Sequence, residues 1–227
     1  MPINRYDGIL RKYNKDYVAA TANETLKFLV AHELRKSLDT HHDATILDVG
    51  CGEWDLTKYM LEVNPNIHVN ALDISSAMIA SCKKHLADNL TRITFLNQDI
   101  VKHLSKNPIY NYILTAQVIH NFPQADKENT FKHIFDALTP WGKLIITEKI
   151  YLDDPATRNK MLDVQIKRYE YLPPLAAKAI IDHEKQDVSD NYRMTETDTI
   201  TQLENIGFHD VRILDRIERD VVLTASK

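Results

Sequence analysis

Apolar positions along the chain alternate between short runs that close on an acid and longer stretches with a helical period. The runs ATILDV, IHVNALD and ITFLNQD bring the chain to Asp48, Asp73 and Asp99, intervals of 25 and 26 residues. Between them, DLTKYMLEV and SAMIASCKKHLADNL repeat their apolar residues at helical spacing. Strand, helix, strand at this interval is the βαβ unit, which builds a parallel sheet with right-handed crossovers. YNYILTA predicts a fourth strand that ends near Gln117. ADKENTFKHIFDAL predicts a helix with Phe131, Ile134, Phe135 and Leu138 on one face; TPWG then reads as a break, and KLIITEKI as a fifth strand.

The rhythm changes after that strand. Residues 151 to 194 carry helical stretches broken by Pro155 and by Pro173-Pro174, and read as a helical insertion. TETDTITQLENIG is a capped helix ending at Gly207. FHDVRILDR and RDVVLTAS follow closely enough to pair as an antiparallel hairpin, and DYVAATANETLKFLVAHELRKSL predicts an amphipathic helix ahead of the first strand. The expectation is one α/β domain with a Rossmann-like, mostly parallel seven-stranded sheet. It divides into an N-terminal helical lid (1–42), a core (43–150), a helical insertion (151–194) and a closing helix and hairpin (195–227).

In a parallel sheet the three aspartates share the carboxyl edge, where open α/β sheets bind ligands. Gly50 and Gly52 follow the first strand directly and let the backbone turn sharply beside a ligand. Asp73 is placed to accept from both hydroxyls of a ribose, and Asp99 from an adenine amino group. A dinucleotide fingerprint needs a further small residue to pack beside a pyrophosphate. Here Trp54 and Asp55 follow the loop, and Asp48 precedes it, so anions would crowd a phosphate. A ligand with no phosphate and a positive end fits better, and S-adenosylmethionine has a ribose, an adenine, a sulfonium and an ammonium.

Composition narrows the partners. Of 227 residues, 28 are Lys or Arg and 32 Asp or Glu, giving net charge -4. No basic field draws the chain onto nucleic acid, so a small-molecule partner is expected and direct nucleic-acid binding is not. No run approaches the ~20 apolar residues of a membrane span, and the polar start MPINRYDGILRKYNKDY is no secretory signal. A cytoplasmic protein without membrane attachment is expected. Cys51 and Cys82 fit no metal spacing, and no metal is expected.

The ordered segments ILDVGCG, ALDISSAMI, FLNQDI, YILTAQVIHNF and LTPWGKLIITEK resemble the successive motifs of the class I S-adenosylmethionine-dependent methyltransferases. The resemblance covers roughly residues 44 to 150. It implies that Gly50, Cys51 and Gly52 cradle the methionine part of S-adenosyl-L-methionine with Asp48 supporting the loop. It also implies that Asp73 holds the ribose and Asp99 lies beside the adenine. Ile74, Ile100 and Met78 are expected to supply apolar contact, and Gln117 to border the cofactor. Trp54 either covers the methionine moiety or packs the start of the following helix.

Methyl transfer from a sulfonium, already a good leaving group, to a nucleophile needs placement and exclusion of water, plus a base only where the nucleophile must lose a proton. His120, in QVIHNF, resembles in position the catalytic histidine of many O-methyltransferases and is the candidate base. Glu148, at the end of the fifth strand, either touches substrate or pairs with Lys149. Tyr13 and Tyr17 in the N-terminal segment, and Arg168 and Tyr169 in the insertion, are candidate acceptor-binding residues. A homodimer through the insertion is a further expectation. A narrower resemblance is to the carboxy-S-adenosylmethionine synthases, carried by ISSAMIASCKKHLA, LTPWGKLIITEK and the layout from Ile180 to Phe208. Those enzymes serve tRNA wobble-uridine modification and hold their carboxylate with an insertion arginine, where DHEKQD here offers Lys185. A non-catalytic S-adenosylmethionine-binding protein is the third reading.

Overall fold

The computed structural model describes residues 23–38, 43–103 and 109–227. Tyr13, Tyr17 and most of the expected lid lie outside the described residues. Helix α1 (Asn23–Ser37) precedes β1 (Ala44–Val49), α2 (Asp55–Val63), β2 (Ile67–Asp73), α3 (Ser76–His85) and β3 (Ile93–Asn97). A short α4 (Ile100–His103) leads to β4 (Tyr110–Ala116), α5 (Gln124–Ala137) and β5 (Leu138–Lys149). The insertion supplies α6 (Pro155–Tyr169) and α7 (Pro174–Asp187); α8 (Glu196–Ile206), β6 (His209–Ile217) and β7 (Asp220–Ser226) close the domain. The seven strands form one sheet in the order β3-β2-β1-β4-β5-β7-β6. The first five are parallel to their neighbours, and β7 runs antiparallel to both β5 and β6.

Strand side chains alternate between two faces, and each face has its own core. Ile46, Val69, Leu114, Ile145 and Val222 pack with Leu26, Val30 and Leu34 of α1, Met60 of α2 and Cys82 of α3. Their neighbours Leu47, Ile113, Leu144, Ile146 and Leu223 pack on the other side with Phe131 and Ile134 of α5 and Leu203 of α8. The near-continuous apolar runs of the central strands thus follow from burial on both faces. Tyr169, Leu172, Ala176 and Ile180 make a smaller cluster inside the insertion. Ser75, Asp154 and Thr195 cap α3, α6 and α8 by accepting from Met78, Thr157 and Asp198 N–H groups. Gly207 ends α8 at φ +120°, a conformation that side chains disfavour.

The helix ends at Ala137, as TPWG predicts, but the fifth strand starts earlier than KLIITEKI: β5 runs through TPWG, pairing Leu138 with Tyr110 and then Lys143 with Tyr112. The extra residues form an irregularity opposite one residue of β4, with Trp141 at φ +69°. Pro140 and Gly142 suit that bulge as well as they suit a turn, so the sequence signal was ambiguous. Among the described residues no helix is long and apolar enough to cross a membrane.

Candidate active site

The glycine loop is tied to the neighbouring strand. Gly50 and Cys51 N–H both donate to the Leu72 carbonyl, at 2.7 and 3.0 Å. Gly50 sits at φ +67°, and a Cβ there would lie 2.4 Å from Val118 Cγ2, so both conformation and contact require glycine. Gly52 sits at φ +56°, and among the described residues only the Gly50 carbonyl lies within 4 Å of a Cβ there, at 3.9 Å. Asp73 joins the loop to the next turn: its Oδ2 accepts from Gly52 N–H at 3.0 Å and its Oδ1 from Ser75 N–H at 2.8 Å. Asn97 donates to the Asp73 and Ile74 carbonyls, both at 3.0 Å, and Ile74 stands exposed beside them. Asp99 lies past β3, where its Oδ1 accepts from Val101 N–H at 2.9 Å and opens α4.

Asp48 is fully buried at the foot of the loop. Thr57 Oγ1 donates to its Oδ2 at 2.5 Å, while Oδ1 has no hydrogen-bond partner among the described residues. Burial pushes its carboxyl up to about 7. A buried, half-satisfied acid beside an open loop, with Asp73 and Asp99 along the same edge, fits a cationic ligand that carries a ribose. It also has a stability consequence. Between the ordinary 3.8 and about 7 the folded chain holds a proton that the unfolded chain releases, so stability falls as pH rises through that window. Asp48→Asn should therefore stabilise the chain at pH 8, by at most about 4 kcal/mol from the size of the shift, and change it little at pH 4. Urea denaturation at the two pH values measures the difference; equal effects at both would contradict a buried, charged Asp48.

The second half of the site is a short helical turn, Ile119–Asn121, that carries His120. Glu148, at the end of β5, organises it. Its Oε1 accepts from Val118 and Ile119 N–H at 2.8 and 2.7 Å, and its Oε2 accepts from His120 N–H at 3.2 Å and from His120 Nδ1 at 2.6 Å. Burial pushes the Glu148 carboxyl up, but His120 and these N–H groups outweigh it and hold the carboxyl below its ordinary value. An ionised Glu148 keeps the proton of the neutral ring on Nδ1 and leaves the Nε2 lone pair to act. Val118, the residue that fills the space beside Gly50, sits one residue before this turn, so glycine loop and histidine turn are in contact.

Glu148 is fully buried under His120, and its hydrogen-bond partners among the described residues are Thr115, His120 and the Val118 and Ile119 N–H groups. Lys149 donates to Asp187 Oδ2 at 2.6 Å and Glu184 Oε1 at 3.3 Å, both on α7. Arg219 pairs with Glu184 Oε2 and donates to the Tyr151 hydroxyl at 3.1 Å. Tyr169 is fully buried with its hydroxyl donating to Glu184 at 3.1 Å, which spends it on the network that fastens the insertion to the sheet. Arg168 pairs with Glu218, and Lys185 is exposed.

Other expected contacts differ for equally local reasons. Ile100 is buried in the core with Leu72 and Phe131, leaving Ile74 as the apolar residue at the edge. Trp54 stacks on His85 with centroids 5.0 Å apart, beneath the Lys58 ammonium, so it packs the start of α2. Its φ of +154° shows that the third loop position still has glycine-like geometry. Gln117 donates to Asp220 Oδ1 at 3.2 Å, turned toward β7. Cys51 is buried, and a hydrogen bond with Cys82 and burial push its thiol up, so it serves the loop through its backbone. Met78 is half-buried in the first turn of α3.

The sheet order, the glycine loop after β1 and the acids after β2 and β3 together define a class I methyltransferase fold. Residues 46–142 match the methyltransferase domain family. The phosphoethanolamine N-methyltransferase of Triticum aestivum is 26% identical over 219 residues, 95% of this chain and 37% of that protein. The carboxy-S-adenosyl-L-methionine synthase of Nautilia profundicola is 23% identical over 187 residues, 80% of this chain and 76% of that protein. The crystal structure of human N-acetylserotonin methyltransferase with S-adenosylmethionine shares the fold, with TM-score 0.63 and 17% identity across 100% of this chain and 60% of that one. The chain spans less than two thirds of the length of several curated relatives. In its domain match, its relatives and its fold the chain is similar to S-adenosylmethionine-dependent methyltransferases.

Proposed function

We propose that the chain moves the methyl group of S-adenosylmethionine to a small-molecule acceptor whose nucleophile sheds a proton, and that His120 takes that proton. The observation that carries this reading is the 2.6 Å contact between His120 Nδ1 and the buried Glu148, beside the glycine loop. Bound S-adenosylmethionine supplies an electrophilic methyl on a good leaving group. Asp73 would hold the ribose, Asp99 and Ile74 would contact the adenine, and the backbone of Gly50 to Gly52 would hold the methionine part. His120 Nε2 accepts the acceptor's proton, and Glu148 stabilises the imidazolium that forms. The relatives include phosphoethanolamine and quinone-pathway methyltransferases, whose names support a small acceptor, beside a tRNA methyltransferase, and the net charge of -4 weighs toward the former. The carboxylated-cofactor reading needs an insertion cation at the site; Arg168 is engaged by Glu218 and Lys185 is exposed, so plain methyl transfer is better supported. Formation of S-adenosylhomocysteine over a panel of small hydroxyl, amine and carbon acceptors tests the reading, and an acceptor-dependent signal is expected.

Asp73→Ala should weaken S-adenosylmethionine binding by at least ~10-fold, because each hydrogen bond to a charged acceptor is worth roughly 1.5–3 kcal/mol. Calorimetry on the folded variant measures it. Unchanged affinity would remove the ribose from Asp73.

A further inference from the structure

The histidine turn and helix α7 bring two imidazoles and a carboxylate together. Donor atoms of His120, His183 and Asp187 all lie within 4.8 Å of one another. We infer that these three residues form a binding site for one divalent transition-metal ion of the zinc type. Four observations converge on it.

The first is spacing. His183 and Asp187 stand four residues apart on α7 and so share a helix face, and His120 faces them from the sheet edge, its ring 6.2 Å from that of His183. Donors around a tetrahedral ion at ~2.0–2.1 Å stand about 3.3 Å apart, so closure by about 1.5 Å or less completes the set. The second is the outer shell. Histidine ligands usually give their other ring N–H to a carboxylate, which fixes the tautomer, and Glu148 does this for His120 at 2.6 Å. The third is the carboxylate. Lys149 and His183 Nε2 lie 2.6 and 3.6 Å from Asp187 Oδ2, whereas the buried Oδ1 has no hydrogen-bond partner among the described residues. Oδ1 is the oxygen left for an ion.

The fourth is charge. The buried carboxylates here are Glu148, Glu184, Asp187 and Asp220, and the buried cations Lys149 and Arg219. Four carboxylates thus face two side chains of fixed positive charge, so the cluster has room for further positive charge. A buried excess of this kind is costly unless offset, and a divalent cation offsets it. Two imidazoles and one carboxylate suit zinc-like ions over magnesium or calcium, and three protein ligands leave a fourth position open. An ion on His120 Nε2 occupies the lone pair that the proton transfer uses. Metal-loaded protein therefore loses its base, and zinc inhibits any transfer that depends on it.

Cobalt(II) serves as the probe, because its visible absorption reports coordination without any activity assay. Wild-type chain at pH 7.5 should bind one equivalent with the bands of a four- or five-coordinate ion. His183→Ala should weaken that binding by at least ~100-fold, more than the ~10–100-fold that outer-shell changes cost. His183→Cys should keep it and add a sulfur-to-cobalt charge-transfer band in the near ultraviolet, which only direct ligation produces. No cobalt bands in the wild type, equal affinity in His183→Ala, or a folded His183→Cys that binds without the new band would each overturn the site. Cobalt binding that depends on His183, together with no methyl transfer to any acceptor, would leave this site standing and remove the proposed function instead.

Discussion

Replacing His120 with alanine is expected to slow methyl transfer by roughly 10²–10⁴-fold, the range of a positioned general base. The ring is buried on the turn next to the glycine loop, its Nδ1 fixed by Glu148. Alanine keeps the turn, because Glu148 still accepts from the Val118, Ile119 and residue-120 N–H groups. Cofactor affinity should change by less than the rate, since Asp73, the residue proposed to hold the ribose, lies at the end of β2 and not in the His120 turn. Glu148 acts through His120, so adding Glu148→Gln to His120→Ala should cost little further rate, although Glu148→Gln alone slows the wild type. Residues that work as a unit are non-additive in this way. Rates for the two single variants and the double variant, with one acceptor at saturating cofactor, decide it. A His120→Ala chain at full rate would take the base out of the mechanism.

The largest stability effect is expected from Glu184→Ala. Glu184 accepts from Lys149, Arg219 and the Tyr169 hydroxyl, all of them buried. Its removal leaves Arg219 fully buried without its carboxylate, and breaking a buried pair from one side costs about 3–5 kcal/mol. That is a large part of the 5–15 kcal/mol typical of a domain. The effect should depend on pH. Burial pushes the Glu184 carboxyl up, but Lys149 and Arg219 outweigh it and hold it well below its ordinary range. A depressed carboxyl stabilises the fold above its unfolded pKa and loses that contribution as pH falls through and below the ordinary carboxylate range. The gap between wild type and Glu184→Ala should therefore be full at pH 7 and shrink on acidification. Denaturant midpoints at pH 7 and pH 4 measure both parts, and a gap under ~1 kcal/mol at pH 7 would show that the network is not what anchors the insertion.

The parts of this molecule that were legible in its sequence are those encoded by period and position. Two-sided strands such as ATILDV are apolar at successive residues because both faces are buried, and the acids that follow them mark the carboxyl edge. The glycine pair was legible for the same reason: Gly50 sits at positive φ against Val118, a requirement that few residues meet. What was hidden depends on contacts between distant residues. Glu148 organises the His120 turn across 28 residues of sequence, and nothing in TEKI distinguishes that role from a surface pairing with Lys149. Lys149 finds Glu184 and Asp187 only because α7 folds back over the end of β5. Tyr169 looked like a pocket aromatic because a half-polar helix carries it, yet the buried Glu184 draws its hydroxyl inward. Trp54 looked like a departure from the loop pattern, and its backbone keeps the glycine-like conformation while His85 takes its ring. Ile100 followed an acid as Ile74 does, but a short helix turns it into the core.

Cofactor binding is assigned to the acids and glycines at the carboxyl edge of β1, β2 and β3. Calorimetric titration of the wild-type chain with S-adenosylmethionine, and in parallel with NAD, tests it most directly. One equivalent of S-adenosylmethionine should bind and NAD should give no heat of binding, because the acids Asp48, Asp55 and Asp73 around the glycine loop disfavour a pyrophosphate beside it. A folded chain that took up NAD, or that bound no S-adenosylmethionine at millimolar concentration, would contradict the account.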